Sequence, residues 1–193
     1  MMSEVEKRDS MHKHSNKIAY LDDPQRNGGL TAEALLDQLH VKKSDRILDF
    51  GAGTGYFTLP LAQKVDETVF ALDTDPAMLE LISAKAQGAS IENIELVTGE
   101  LTDAALAKDS LDIILASLVL HEITPLVPVL ENMHSLLKAG GQLIAIELEP
   151  KTGGQKAPRL TSNGLEQQLS AAGFEVVKKF FPAESLYVLV ARK

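Results

Sequence analysis

The sequence predicts an α/β fold: a single doubly wound domain whose mostly parallel sheet carries helices on both faces. Three observations predict it. Short apolar runs alternate with helical patterns, a glycine-rich turn joins the first run to the helix after it, and the last two runs lie close enough in sequence to pair antiparallel. A length of 193 residues suits one such domain and argues against two large ones.

The first 30 residues are polar and mixed in charge, with five basic and five acidic side chains, and they end in the turn material Asp22-Asp23-Pro24 and Gly28-Gly29. They form an amino-terminal segment, a candidate lid, and residues 31–193 form the domain proper. Thr31 and Glu33, followed by Leu35, Leu36 and Leu39 on one face, predict a short amphipathic helix. Apolar runs at residues 46–50, 68–72, 94–97, 111–116 and 142–147 are short enough for buried strands. Helical patterns lie between them near residues 56–65, 76–87 and 125–137. Pro76 suits a first helical turn behind Asp73 and Asp75. Ala139-Gly140-Gly141 reads as the helix stop before the fifth strand. A helix near 163–172 ends at Gly173, and strands near 174–180 and 186–191 follow. The expected sheet therefore has seven strands, the last of them antiparallel, with ligands at the carboxyl ends of the parallel strands.

Composition narrows the function by exclusion. With 45% hydrophobic and 24% charged residues the chain has an ordinary globular core. Nineteen Lys and Arg against 27 Asp and Glu give a net charge of -8, which disfavours phosphate backbones and anionic membranes as partners. No basic–aromatic stripe points to nucleic acid either. The absence of cysteine removes disulfides, thiolate metal sites and cysteine nucleophiles. No run approaches the roughly 20 apolar residues of a membrane span, and the amino terminus has no apolar leader, so the expectation is a cytoplasmic enzyme or binding protein. His12 and His14 lie in the polar amino-terminal segment and read as solvent-exposed. His40 and His134 read as surface or packing residues, so no metal is expected.

The residues Asp49-Phe50-Gly51-Ala52-Gly53-Thr54-Gly55-Tyr56 follow the first strand and open a helix. Glycines there let the backbone turn sharply and admit a ligand where a Cβ would stand. Dinucleotide-binding loops place glycines at the first, third and sixth positions. Here they fall at the first, third and fifth, and Tyr56 holds the sixth, which argues against a pyrophosphate cofactor. No Gly-Lys-Ser or Gly-Lys-Thr follows, so the loop is not a P-loop. Asp73 ends the second strand, about twenty residues on, where a carboxylate serves ribose hydroxyls; capping of the helix at Pro76 is its structural alternative.

This loop resembles motif I of the class I S-adenosylmethionine-dependent methyltransferases. Leu72-Asp73-Thr74-Asp75-Pro76 resembles their acidic second motif, and Gly99-Glu100 stands where Gly-Asp is common. Leu111-Asp112-Ile113-Ile114 resembles the fourth strand, and Leu136-Leu137-Lys138-Ala139-Gly140-Gly141 the turn before the fifth, with Ala139 in place of proline. Gly173-Phe174 precedes a strand as in many members. Leu21-Asp22-Asp23-Pro24, with Arg26 two residues on, brings the chain nearest to small methyltransferases of type 11. The resemblance implies a Rossmann-like domain and S-adenosylmethionine as cofactor, with S-adenosylhomocysteine as its product. Gly51, Ala52, Gly53 and Gly55 would hold the methionine moiety, with Asp49 near its amino group and Asp73 at the ribose. Thr74, Met78, Glu100 and Leu101 would surround the adenine, and Ser117 and Leu118 would close the pocket near the methyl group. Core packing is the alternative for Met78, Leu101 and Leu118.

A sulfonium methyl is already electrophilic, so the protein's main task is alignment, and a base is needed only where the acceptor must lose a proton. His121, after the fourth strand, is the candidate catalytic base, with Glu122 as a group to orient it. Tyr20 and Arg26 are candidate lid residues. Lys151, Lys156 and Arg159 in the loop after the fifth strand read as solvated charges. Arsenite methylation is excluded by the missing cysteines, and residues 117–122 lack the Asn/Asp-Pro-Pro-Tyr pattern of amino methylation. The expected function is methyl transfer to a small molecule. Its alternatives are a non-catalytic S-adenosylmethionine-binding module and a nicotinamide-dependent oxidoreductase, the latter opposed by Tyr56.

Overall fold

The computed structural model describes residues 16–150 and 158–193. His12, His14, Lys151 and Lys156 lie outside the described residues.

Seven strands form one sheet: β1 (Ile47–Phe50), β2 (Val69–Asp73), β3 (Ile94–Thr98), β4 (Leu111–Ser117), β5 (Leu137–Leu148), β6 (Glu175–Phe180) and β7 (Leu186–Arg192). Their order across the sheet is β3-β2-β1-β4-β5-β7-β6. The first five run parallel, and β7 lies antiparallel between β5 and β6. The order reverses between β1 and β4, whose carboxyl ends diverge into a crevice.

The period-two pattern explains how both faces are buried. On β4, Ile114 and Ala116 enter one apolar cluster while Ile113 and Leu115 enter the other; on β7, Tyr187 and Leu189 divide from Leu186 and Val188 in the same way. The first cluster is closed by α4 (Val127–Leu136) and α5 (Ser162–Ala171), through Leu130, Met133, Leu165 and Leu169. The opposite face is covered by α1 (Ala32–Leu36), α2 (Thr58–Lys64) and α3 (Pro76–Gly88). Helix starts follow local chemistry: Thr31 caps α1, Asp75 caps α3 by accepting from Ala77 N–H with Pro76 in the first turn, and Thr161 caps α5.

Element ends differ from the sequence expectation by one or two residues in several places, and two differences have a clear physical cause. The residues Ala139-Gly140-Gly141 do not stop α4. That helix ends at Leu136, because Leu137 turns extended and buries its side chain completely beside Leu111 of β4. The glycines instead bend the start of β5, where Gly140 stands at φ 79° and a Cβ on Gly141 would lie 2.9 Å from the Lys138 carbonyl oxygen. Helix α2 starts at Thr58 rather than at residue 56, since Gly55 is left-handed at φ 84°.

Candidate functional site

The crevice holds a cavity of about 770 Å³, within the usual size range of small-molecule pockets. Its floor is the glycine turn. Gly51 and Ala52 both donate their N–H groups to the Leu72 carbonyl, which folds the turn back over the end of β2. Gly51 stands at φ 74°, and a Cβ there would come within 2.6 Å of Val119 Cγ2, so both the backbone and the facing wall require glycine. Gly51, Ala52 and Gly53 line the cavity. Gly55 does not: a Cβ there would meet Ile82 of α3 at 2.9 Å, so this glycine lets α3 approach the turn. The close-packing task that dinucleotide loops give to their sixth residue thus falls to the fifth, and Tyr56 directs its hydroxyl to the Leu30 carbonyl at 2.9 Å.

Asp49 sits under the turn, 2% exposed yet lining the cavity. Its Oδ2 accepts from the Thr58 hydroxyl at 2.6 Å. Burial pushes its carboxyl up to about 7; the Thr58 hydrogen bond offsets part of that, and the charge of Asp73 adds to it. A carboxylate held this way gains most from a cation brought into the cavity.

Asp73 clamps the other side of the turn. Its Oδ2 accepts from Gly53 N–H at 2.7 Å and its Oδ1 from Asp75 N–H at 2.9 Å. Each oxygen keeps a further lone-pair direction, so the group can still accept from a ligand's hydroxyls. The helix cap is supplied by Asp75, which separates the two roles the sequence had left open for this stretch. Met78 and Leu101 present apolar surface to the cavity and are buried, while Thr74 and Glu100 line it from exposed positions.

Ser117 and Leu118 form the wall at the end of β4. Leu118 is left-handed at φ 52°, an uncommon conformation for a branched residue and one that clusters at ligand sites. The short turn Leu120–Glu122 follows, and here the structure adds a residue that sequence reasoning missed. Glu147 of β5 is fully buried and accepts from Leu120 N–H at 2.9 Å, His121 N–H at 3.4 Å and His121 Nδ1 at 2.7 Å. Arg159 Nη1 approaches His121 Nε2 at 3.2 Å. The consistent tautomer carries its proton on Nδ1, towards Glu147, and offers the Nε2 lone pair to Arg159. Glu122, expected to orient the ring, is exposed, with its Oε1 3.8 Å from Nε2; Glu147 does the orienting. His121 is not among the residues that line the cavity. Arg159, expected to be solvated, is half-buried against His121. The missed signal was a lone acid inside the apolar run 143–148: a carboxylate in a buried strand needs partners.

The amino-terminal segment crosses the mouth. Residues 16–21 are helical and lead into the tight turn Pro24–Asn27. Asp22 accepts from the Thr54 hydroxyl and pairs with Lys85 Nζ at 3.0 Å, and Lys17 pairs with Asp75 at 2.7 Å. Leu21 and Arg26 line the cavity, whereas Tyr20 is 59% exposed.

Among the described residues no helix is long and apolar enough to cross a membrane, and no His, Asp and Glu cluster suits a metal ion. A family model described as a methyltransferase domain matches residues 47–141. The demethylmenaquinone methyltransferase of Oceanobacillus iheyensis is 28% identical over 119 residues, 61% of this chain and 50% of that protein. The chain thus spans about half the length of the curated relatives it matches. Among solved structures, a SAM-dependent methyltransferase from Aquifex aeolicus superposes with a TM-score of 0.82 at 23% identity, covering 92% of this chain and 97% of that one. The [4+2]-cyclase SpnF superposes with a TM-score of 0.73 at 16% identity, covering 84% and 80%. These superpositions show the fold, and the cyclase among them shows that the fold alone does not name the reaction.

Proposed function

We propose, from the premise that this chain belongs to the class I S-adenosylmethionine-dependent methyltransferases, that its cavity binds S-adenosylmethionine and that it transfers the methyl group to a small-molecule acceptor. One observation carries the reading: a glycine turn, a buried acid beneath it and a second acid at the end of β2 share a single cavity. The residues fit the donor. Asp49 offers a carboxylate to the α-ammonium, Asp73 retains acceptor capacity for the ribose hydroxyls, and Met78 and Leu101 offer an apolar surface to the adenine. Gly51, Ala52 and Gly53 form the floor that receives the methionine moiety, and Gly55 supports them by letting α3 approach the turn. Glu100 and Thr74 border the adenine end, and Ser117 and Leu118 the reacting end.

When bound, the donor supplies an electrophilic methyl on a sulfonium centre. The chain's own task is to align the acceptor with it and to keep water out. Beyond Leu118, Val119, Ile123, Pro125 and Val129 give the wall apolar surface interrupted by Glu122, Thr124 and Asn132, which supports an apolar or aromatic acceptor that carries a polar group. The relatives named as demethylmenaquinone methyltransferases support the same class, a quinol-like ring.

His121 enters this reading as a positioning residue. Through Glu147 it fixes the turn that carries Leu118 and Val119, and it stands off the cavity. Asparagine can still donate to Glu147 but cannot act as a base. On an acceptor that is turned over, His121→Asn is therefore expected to keep the rate within about fivefold; a loss of about 10²–10⁴-fold would instead mark His121 as the base.

The donor assignment is tested by calorimetric titration of wild type and Asp73→Ala with S-adenosylmethionine, S-adenosylhomocysteine and NAD. The first two ligands should bind and NAD should not. Asp73→Ala should weaken both by about 10- to 150-fold, the value of a charge-assisted ribose contact. Binding of NAD alone, or of no ligand, overturns the assignment.

A further inference from the structure

The cavity is rich in acids. Asp49, Asp73, Asp75, Glu100 and Glu122 line it, and its cations among the described residues are Lys17 and Arg26. Lys17 is engaged by Asp75 at 2.7 Å. Arg26 makes no ion pair with any described residue. Its Nη1 reaches the Leu21 carbonyl at 3.4 Å, and its guanidinium lies over the Tyr20 ring, 4.8 Å from the centroid. A guanidinium stacked by its face keeps its edge N–H groups free, and that edge matches a carboxylate bidentately.

Arg26 is also held in place. Asp23 accepts from Gln25 N–H at 2.9 Å and caps the turn that carries Arg26, and Pro24 fixes the first dihedral of that turn. Gly28 closes it in the left-handed region at φ 66°, packed so that a Cβ would fall 2.3 Å from Ala183 Cβ. On the other side, Asp22 clips the segment to Thr54 and Lys85, beside the glycine turn.

From this charge inventory we propose that Arg26 is the receptor for the α-carboxylate of the donor's amino-acid moiety. The proposal rests on the donor reading above. A sulfonium amino acid carries two positive charges and one negative. The acid-rich wall suits the positive charges, and the unpaired guanidinium suits the single negative one. The amino-terminal segment is then part of the donor site rather than a cover over it, and it discriminates between ligands with and without the carboxylate.

The test is a thermodynamic cycle read by calorimetry. S-adenosylhomocysteine and its decarboxylated analogue, which keeps the amine and thioether, are titrated into wild type, Arg26→Met and Arg26→Lys. Wild type should prefer the carboxylate-bearing ligand by about 10- to 100-fold. Arg26→Met should lower that ligand to the level of the analogue while moving the analogue by less than about twofold. Arg26→Lys should restore part of the preference, since a point charge lacks the fork. An unchanged preference in Arg26→Met overturns the proposal, and so does an equal weakening of both ligands, which would make Arg26 a prop of the segment. If wild type binds neither ligand, the donor reading itself fails, an outcome visible without any variant.

Discussion

Replacing Glu147 by alanine is expected to lower the stability of the fold by about 3–5 kcal/mol, since three donors lose their buried acceptor at roughly 1–3 kcal/mol each, the long His121 N–H contact least. The side chain has no exposed surface and accepts from two backbone N–H groups and the His121 ring. Truncation leaves Leu120 N–H without its acceptor in a site where Leu120 itself is fully buried, and it strips the ring of the group that holds its proton on Nδ1. Each loss costs the desolvation penalty of a donor left without its acceptor. The turn Leu120–Glu122 then has no tie to β5 through this side chain, and the Leu118–Val119 wall loses its brace. Urea unfolding followed by circular dichroism reads the effect as a lowered midpoint. Glu147→Gln, which keeps an oxygen for Leu120 N–H, should cost less than half as much. A Glu147→Ala variant within 1 kcal/mol of wild type would show that the network is not structural.

The second large effect is pH-dependent. S-adenosylhomocysteine affinity is expected to be flat above about pH 7 and to fall by up to about tenfold per unit below it, because the Asp49 carboxyl, raised to about 7 by burial, must be ionised to receive an ammonium. The ligand's cation favours the charged form, so binding below pH 7 releases a proton, measurable as a buffer-dependent heat. In the ligand-free protein the sign is opposite. A group whose folded pKa lies above its unfolded value of 3.8 favours the fold while it is protonated, and that contribution is lost as the pH rises towards 7. Asp49→Asn should therefore raise ligand-free stability at pH 8 by on the order of 2–4 kcal/mol, keep the Thr58 hydrogen bond through its amide oxygen, and bind S-adenosylhomocysteine weakly with no pH step near 7. A variant that binds as tightly as wild type removes Asp49 from the donor site.

Both effects sit on residues of very different legibility. Asp49 is marked in the sequence by the resemblance of its glycine loop to a known motif, and Asp73 by its place at the end of the second strand, about twenty residues past that loop. The strand–helix alternation was equally readable, because burial of both sheet faces demands continuous apolar runs such as 111–116 and 142–147. Glu147 was not readable as a partner of His121, since the two meet only when β4 and β5 pair side by side, 26 residues apart along the chain. The same holds for Arg159, which a charged-loop reading left in solvent and which packs on His121 across 38 residues.

The sequence by itself determined the fold class, the alternation of strands and helices, and the place of the glycine turn, Asp49 and Asp73 at the ends of the first two strands, since periodicity and glycine spacing are local and survive without contacts. Only the tertiary structure decided which carboxylate orients His121, which glycine packs a helix instead of facing the cavity, and which cation the amino-terminal segment leaves unpaired. Those are properties of pairs and cavities, set by side chains that meet across the sheet, and no single segment of the chain encodes them.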